Sequence, residues 1–181
     1  FFSHKNEAND SADTYLVSGS NLLVPTLGIS YISFDDVNCE RISFDNVSEC
    51  GAISYSFGTS VQEIYFPVLE YVAGTLALWG SNVTSISIPL LKECGFELGI
   101  AGTGITTLDI SSLESVYSQL WIQDNSQLTD ISLNSIISIG GAINFGGNAL
   151  SESCVDAILV KLASLDGSNG TTELVDISID L

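Results

Sequence analysis

Asp109 and Asp130 fall on outward positions of adjacent segments of this chain, and paired carboxylates on an exposed face are what polysaccharide-cleaving solenoids use. That chemistry also calls for basic residues beside the acids. The chain has only four, Lys5, Arg41, Lys92 and Lys161, and none is expected in the columns holding Asp109 and Asp130. The one histidine, His4, lies in an irregular N-terminal stretch. General acid–base and nucleophile arrangements therefore have few members to draw on, and the sequence reads as a non-enzyme.

Other side chains bear on binding. Asp35, Asp36 and Asp45 could approach one another across neighbouring segments, but the spacing of a calcium loop is missing, so a solvated acidic face is expected. No cysteine spacing fits zinc; no metal and no cofactor are expected. Thr84, Thr106 and Thr129 form a partial threonine ladder, but Ile86, Leu108 and Ile131 two residues on are core positions, so no flat Thr-x-Thr ice-binding face exists. Tyr65, Trp79 and Trp121 alternate with apolar residues and so point outward, where exposed aromatics contact protein or carbohydrate partners. Asn9, Asn46, Asn82 and Asn169 open Asn-x-Ser/Thr sequons, glycosylation candidates if the chain passes through a eukaryotic secretory pathway.

A repeat positions these residues. VQEIYFPVLEYVAGTLALWGSN, VTSISIPLLKECGFELGIAGTG, ITTLDISSLESVYSQLWIQDNSQ and LTDISLNSIISIGGAINFGGNA align from Val61, and a less regular copy starts at Cys39. The starts Cys39, Val61, Val83, Ile105, Leu128 and Leu150 are 22, 22, 22, 23 and 22 residues apart. Apolar residues recur in register, as in Ile42, Ile64, Ile86, Leu108, Ile131 and in Cys50, Val72, Cys94, Val116, Ile139. Two stretches of each copy alternate with period two, predicting two short strands per copy joined by a corner, with Gly80, Gly102, Asn125 and Asn148 closing the turn. One coil cannot bury its own apolar face, so the coils must stack at about 4.8 Å, five of them making a body about 24 Å long. Cys50 and Cys94 stand two coils apart, about 9–10 Å, against the roughly 7 Å a disulfide tolerates. The cysteines, Cys39 and Cys154 included, read as small buried hydrophobes, with a Cys39–Cys50 bridge across one coil as the weaker alternative.

LESVYSQLWIQDNSQ followed by LTDISLNSIISIGGAINFGGNAL resembles the receptor L-domain type of leucine-rich repeat, and LSESCVDAILVKLASLDGSNGTTELVDISIDL resembles the end cap of bacterial and phage versions. The resemblance covers roughly residues 39–181. It implies a mainly β, right-handed leucine-rich-repeat-like β-solenoid of about 22-residue coils with a C-terminal capping helix, an extracellular, cell-surface or virion-surface location, and a binding or structural role.

The chain divides into an irregular arm over 1–20, solenoid repeats over 21–150, and a helical cap with a final strand over 151–181. Ser151 is the expected N-cap of a helix that turns Val155, Ile158, Leu159 and Leu162 to one face, and Gly167 and Gly170 punctuate the loop behind it. A last strand with Leu174, Ile177, Ile179 and Leu181 stops in mid-pattern. With no initiator Met and no signal-peptide pattern, the chain reads as a processed form or a fragment. Ser3 to Thr14 fits no repeat and reads as disordered or as an arm docked on a neighbour.

Of the 181 residues, 45% are apolar and 14% charged, with 22 acidic groups giving a net charge of −18. Such a surface repels phosphate backbones and anionic lipid, and no apolar run approaches the roughly 18 residues of a membrane span, which excludes nucleic acid and membrane insertion. Protein partners, copies of the same chain, or a glycan remain as partners. The leading expectation is a structural or assembly module, such as a phage decoration or fibre protein or a surface filament subunit; the alternative is a cell-surface adhesion or recognition domain.

Overall fold

The computed structural model describes residues 39–54, 60–165 and Ile179 in full, and the backbone of residues 2–4, 15–17, 21–23, 55–56 and 177–178. Strands β1 (Phe2–His4) and β2 (Tyr15–Val17) pair antiparallel, so the stretch read as an irregular arm contains a two-stranded ribbon. Strand β3 (Asn21–Leu23) runs parallel to the first strand of the coil that follows.

That coil holds β4 (Arg41–Ser43), β5 (Glu49–Cys50) and β6 (Ile53–Ser56). The next holds β7 (Glu63–Tyr65), β8 (Tyr71–Val72) and β9 (Leu76–Trp79), and the third β10 (Ser85–Ser87), β11 (Glu93–Cys94) and β12 (Leu98–Ala101). Then come β13 (Thr107–Asp109), β14 (Ser115–Val116) and β15 (Leu120–Gln123), followed by β16 (Asp130–Ser132), β17 (Ser138–Ile139) and β18 (Ile143–Asn144). Like strands stack in parallel, one coil above the next, into a β-solenoid whose repeat is the 22-residue spacing of the sequence. The first strands of the coils make a first sheet whose ladder breaks between β10 and β13; β5, β8, β11, β14 and β17 make a second sheet, and β6, β9, β12, β15 and β18 a third. The coil therefore has three strands where two were expected. The corner between the long strands carries one inward residue per coil, from Cys50 to Ile139, and a two-residue ladder forms around it. So short an element shows no alternation in the sequence, which is why it read as a corner.

Each turn repeats as faithfully as the strands. After the first strand, Val47, Leu69, Leu91, Leu113 and Ile136 each donate their amide to the carbonyl three residues back. Pro67 and Pro89 stand at the second position of two of these turns, where a fixed φ suits the geometry. The turn after the second strand brings backbones so close that a Cβ at Gly95 or Gly140 would run into the carbonyl of Ala73 or Tyr117.

The interior is one continuous cluster running from Cys39 to Leu162. Phe44 and Phe66 stack at 4.3 Å in one column, and Ile88, Ile110 and Leu133 continue it. All four cysteines are free and buried, Cys39, Cys50 and Cys94 in solenoid columns and Cys154 on the cap. Burial pushes the Cys50 thiol up to about 12 and raises Cys94 as well, the latter also through Cys50 nearby.

One interior column is polar. Asn125 is fully buried, and its Oδ1 accepts hydrogen bonds from the amide (3.0 Å) and hydroxyl (2.7 Å) of Thr103. Its Nδ2 donates to the Ile100 carbonyl (3.1 Å) and to Asn148 Oδ1 (3.2 Å). Asn148 Nδ2 in turn donates to the carbonyls of Ile122 and Phe145. The turn residues expected as one set thus divide. Gly102, Asp124 and Gly147 adopt positive φ, whereas Thr103, Asn125 and Asn148 form an inward hydrogen-bonded ladder. One coil earlier, Gly80 closes its turn by accepting from the Val83 amide at 3.0 Å.

The cap is helix α1 (Glu152–Ala163), with Ser151 Oγ accepting from the Cys154 amide at 3.2 Å. Cys154, Val155, Ile158 and Leu162 are its buried residues, while Leu159 is 44% exposed, against the expected face. Cys154 sets that rotation. Its sulfur accepts from the Ile131 amide (3.3 Å) and donates to the Ile131 carbonyl (3.6 Å), closing the exposed edge of β16. Strand β19 (Ile177–Ser178) then extends the third sheet by pairing with β18. Leu174, Leu181, Gly167 and Gly170 lie outside the described residues, as does the stretch from Lys5 to Thr14.

Loss of an interior polar partner should be felt strongly. Asn125→Ala strands the Thr103, Ile100 and Asn148 partners and should cost about 3 kcal/mol in urea unfolding. Asn125→Asp should be more destabilising near neutral pH than in acid, because a buried carboxylate faces two oxygens; equal stability at both would contradict this ladder. For the Cys50 thiol, the raised folded value means its contribution is intact below the ordinary 9.0 and is lost as pH rises towards about 12. At a pH of about 10.5, Cys50→Val, matching its neighbour Val72, should recover roughly 2 kcal/mol relative to its effect at a pH of about 8.

Candidate functional site

The third sheet turns alternate residues outward, and strand register decides which of them meet. Ala77, Gly99, Trp121 and Asn144 occupy one outward column; Trp79, Ala101 and Gln123 occupy the next. The two tryptophans therefore stand in different columns, on strands separated by β12. They meet because β12 offers only Gly99 and Ala101 between them. A Cβ at Gly99 would collide with the six-membered ring of Trp121, so the indole lies across bare backbone. It reaches Trp79, with ring centroids 5.4 Å apart and planes tilted by 32°. Both rings are half-buried, and beneath them all of β12 is buried.

Beside the pair opens a groove of about 430 Å³, lined also by Gln119, Gln123, Ala142, Ile143 and Asn144. Its amides are held in a chain. Gly146 N donates to Asn144 Oδ1 (2.8 Å), Asn144 Nδ2 to Gln123 Oε1 (2.6 Å), and Gln123 Nε2 to Asp124 Oδ2 (3.2 Å). No lining residue is ionisable. Aromatic planes flanked by fixed amide donors and acceptors can bind a ligand that is part apolar and part hydrogen-bonding.

Tyr65 lies elsewhere, on the first sheet. The Arg41 guanidinium sits 4.0 Å from its ring centroid and 3.9 Å from Glu63, so one face of the tyrosine is already occupied. The structure thus unites two of the three expected contact residues and separates the third. Gln119, Gln123 and Asn144 were missed in the sequence, although the small pair Gly99 and Ala101 in LGIA was a visible sign of something lying across that strand.

Asp109 is opposite Ser132 and Asp130 opposite Thr107, so the two acids sit diagonally on neighbouring strands. Against expectation, a basic residue shares one of these columns: Arg41 holds the repeat position of Asp130 four coils earlier, where it pairs with Glu63. Ser111 holds Asp109 below the usual carboxylate range through hydrogen bonds from its side chain and its amide (3.0 Å), a turn-capping role. Asp45 accepts from the Ser43 hydroxyl, and Asp35 and Asp36 lie outside the described residues. Among the described residues no cluster of three potential metal ligands occurs. Thr84, Thr106 and Thr129 are exposed, and the companion column Ile86, Leu108, Ile131 is buried. Asn46 and Asn82 are exposed on turns; Asn9 and Asn169 lie outside the described residues. No helix among the described residues is long and apolar enough to cross a membrane.

Comparison with protein-family models, with curated proteins and with solved structures finds no match for this chain.

Trp79 and Trp121 are the only tryptophans, so intrinsic tryptophan fluorescence reports on this groove alone. Gly99→Ala should lift the Trp121 ring off β12, shifting emission to the red and altering near-ultraviolet dichroism while the far-ultraviolet spectrum stays unchanged. An unaltered emission spectrum would show that the ring does not rest on Gly99.

Proposed function

We propose that this chain is a non-catalytic recognition module displayed outside the cell or on a particle surface, engaging its partner through the outward face of the third sheet. The observation that carries this reading is the Trp79–Trp121 pair, held across Gly99 beside an open, uncharged groove. Large aromatics on a rigid sheet contact a partner with little loss of side-chain entropy. The resemblance of the repeats to receptor L-domain leucine-rich repeats supports the same location and role. The net charge of −18 argues against nucleic acid and anionic membranes as partners. Catalysis is disfavoured by the scarcity of bases, Arg41 being paired with Glu63 four coils from Asp130, and the reading needs no cofactor.

A second reading is a structural subunit of a larger assembly, such as a virion decoration or fibre protein or a surface filament. Tyr71, Phe96, Tyr117 and Ile137, each at least 40% exposed around the second sheet, favour it, since apolar side chains grouped on one side are a usual feature of subunit contacts. Light scattering combined with acrylamide quenching separates the two. The recognition module should be a monomer whose tryptophan emission is quenched readily. A regular polymer in which the tryptophans are shielded overturns recognition in favour of assembly.

A further inference from the structure

We infer that the groove beside Trp79 and Trp121 binds an uncharged, pyranose-containing glycan; this rests on the recognition reading and names its ligand class. A pyranose presents an apolar C–H face and a rim of hydroxyls that each donate and accept. The groove offers the counterpart of both. The two indoles, with ring centroids 5.4 Å apart and planes tilted by 32°, form one apolar aromatic surface at the groove. The rim is made of amides, and an amide, like a hydroxyl, both donates and accepts.

Those amides keep hydrogen-bonding capacity in reserve. Asn144 Nδ2 commits one hydrogen to Gln123 Oε1, and Gln123 Nε2 commits one to Asp124. Each nitrogen carries two hydrogens, so each retains a donor. Asn144 Oδ1 accepts from Gly146 N and keeps a second lone pair. These groups are fixed before any ligand arrives, which lowers the ordering cost of binding. They lie on β15 and β18, next to the Trp121 ring rather than on a separate loop.

Charge narrows the class. No lining residue is cationic, so a uronate, sialate or sulfate would find no counter-charge, and the surplus of 18 negative charges would repel it. No lining residue is anionic either, so the groove itself offers a basic peptide no ion pair, and the adjoining carboxylate, Asp124, is engaged by Gln123. A shallow open groove makes few contacts, and the dissociation constant should be on the order of 1 mM for one short oligosaccharide. Tighter binding would come from several copies displayed together.

The test is a fluorescence titration of the whole chain, followed by calorimetry. Neutral gluco-, manno-, galacto-, xylo- and N-acetylglucosamine oligosaccharides are compared with oligogalacturonate and heparin. At least one neutral series should shift tryptophan emission and protect it from acrylamide, whereas the two anionic probes should not. Trp121→Ala and, independently, the surface change Gln123→Leu should each weaken calorimetric binding by at least about tenfold, with far-ultraviolet dichroism confirming that both variants fold. The inference is overturned if no neutral probe acts up to about 10 mM, if only the anionic probes bind, or if both variants bind like the parent. A monomer with accessible tryptophans that ignores every glycan removes the ligand class and leaves the recognition reading standing. A polymer that shields them removes both.

Discussion

Parallel stacking of coils in register is the constraint from which the rest of this structure follows. Ladder amides and carbonyls find their partners one coil above or below, so each position lies over its equivalent about 22 residues away. A column must then be chemically consistent along its length. An apolar column stays dry, and the sequence supplies Val, Ile, Leu, Phe and Cys almost interchangeably across the columns. The free cysteines need no redox explanation: Cys50 and Cys94 hold the same place as Val72 and Val116.

The same rule explains the exceptions. A buried amide is tolerable only if its neighbours in the column answer it, and Thr103, Asn125 and Asn148 do so in sequence. On the surface, Lys92 lies between Glu70 and Glu114 in one outward column. Its ammonium meets Glu70 at 2.7 Å, and both carboxylates raise its pKa, Glu70 more strongly. Arg41 is likewise opposite Glu63. Two of the few basic residues thus sit where ladder neighbours are acidic, easing repulsion that the net charge would otherwise concentrate along a column. These pairs are solvent-exposed and contribute little to stability by themselves.

Stacking also creates ends, and two of the three edges at the C-terminal side are closed in different ways. The first sheet is closed by α1, with Cys154 hydrogen-bonded to the backbone of Ile131 on its last strand. The third sheet is extended instead, by β19 on β18. Asn144, which lines the groove, consequently has ladder partners on both sides. The groove is thereby built into the body of the sheet and not left at its frayed edge, which keeps its amides in place.

Much of this was legible in the sequence because a repeat writes each structural position several times. The 22-residue period, the apolar columns, the buried cysteines and the Ser151 cap all follow from residue type and spacing, since burial of a stacked coil admits only one register. Three matters needed contacts between coils to become visible. The two-residue strands at the corner carry too little alternation to announce themselves. The turn column divided into positive-φ and inward-pointing sets only when Gly102, Asp124 and Gly147 took up left-handed backbone. The groove was the third. Alternation shows that Trp79 and Trp121 face outward, but not that they meet, because they belong to different columns. Their contact depends on three strands at once, with small residues at Gly99 and Ala101 allowing the Trp121 ring to lie across the strand between them. Local periodicity was enough to specify the scaffold, whereas the groove came from side-chain reach across neighbouring coils, which depends on register and bulk in three dimensions.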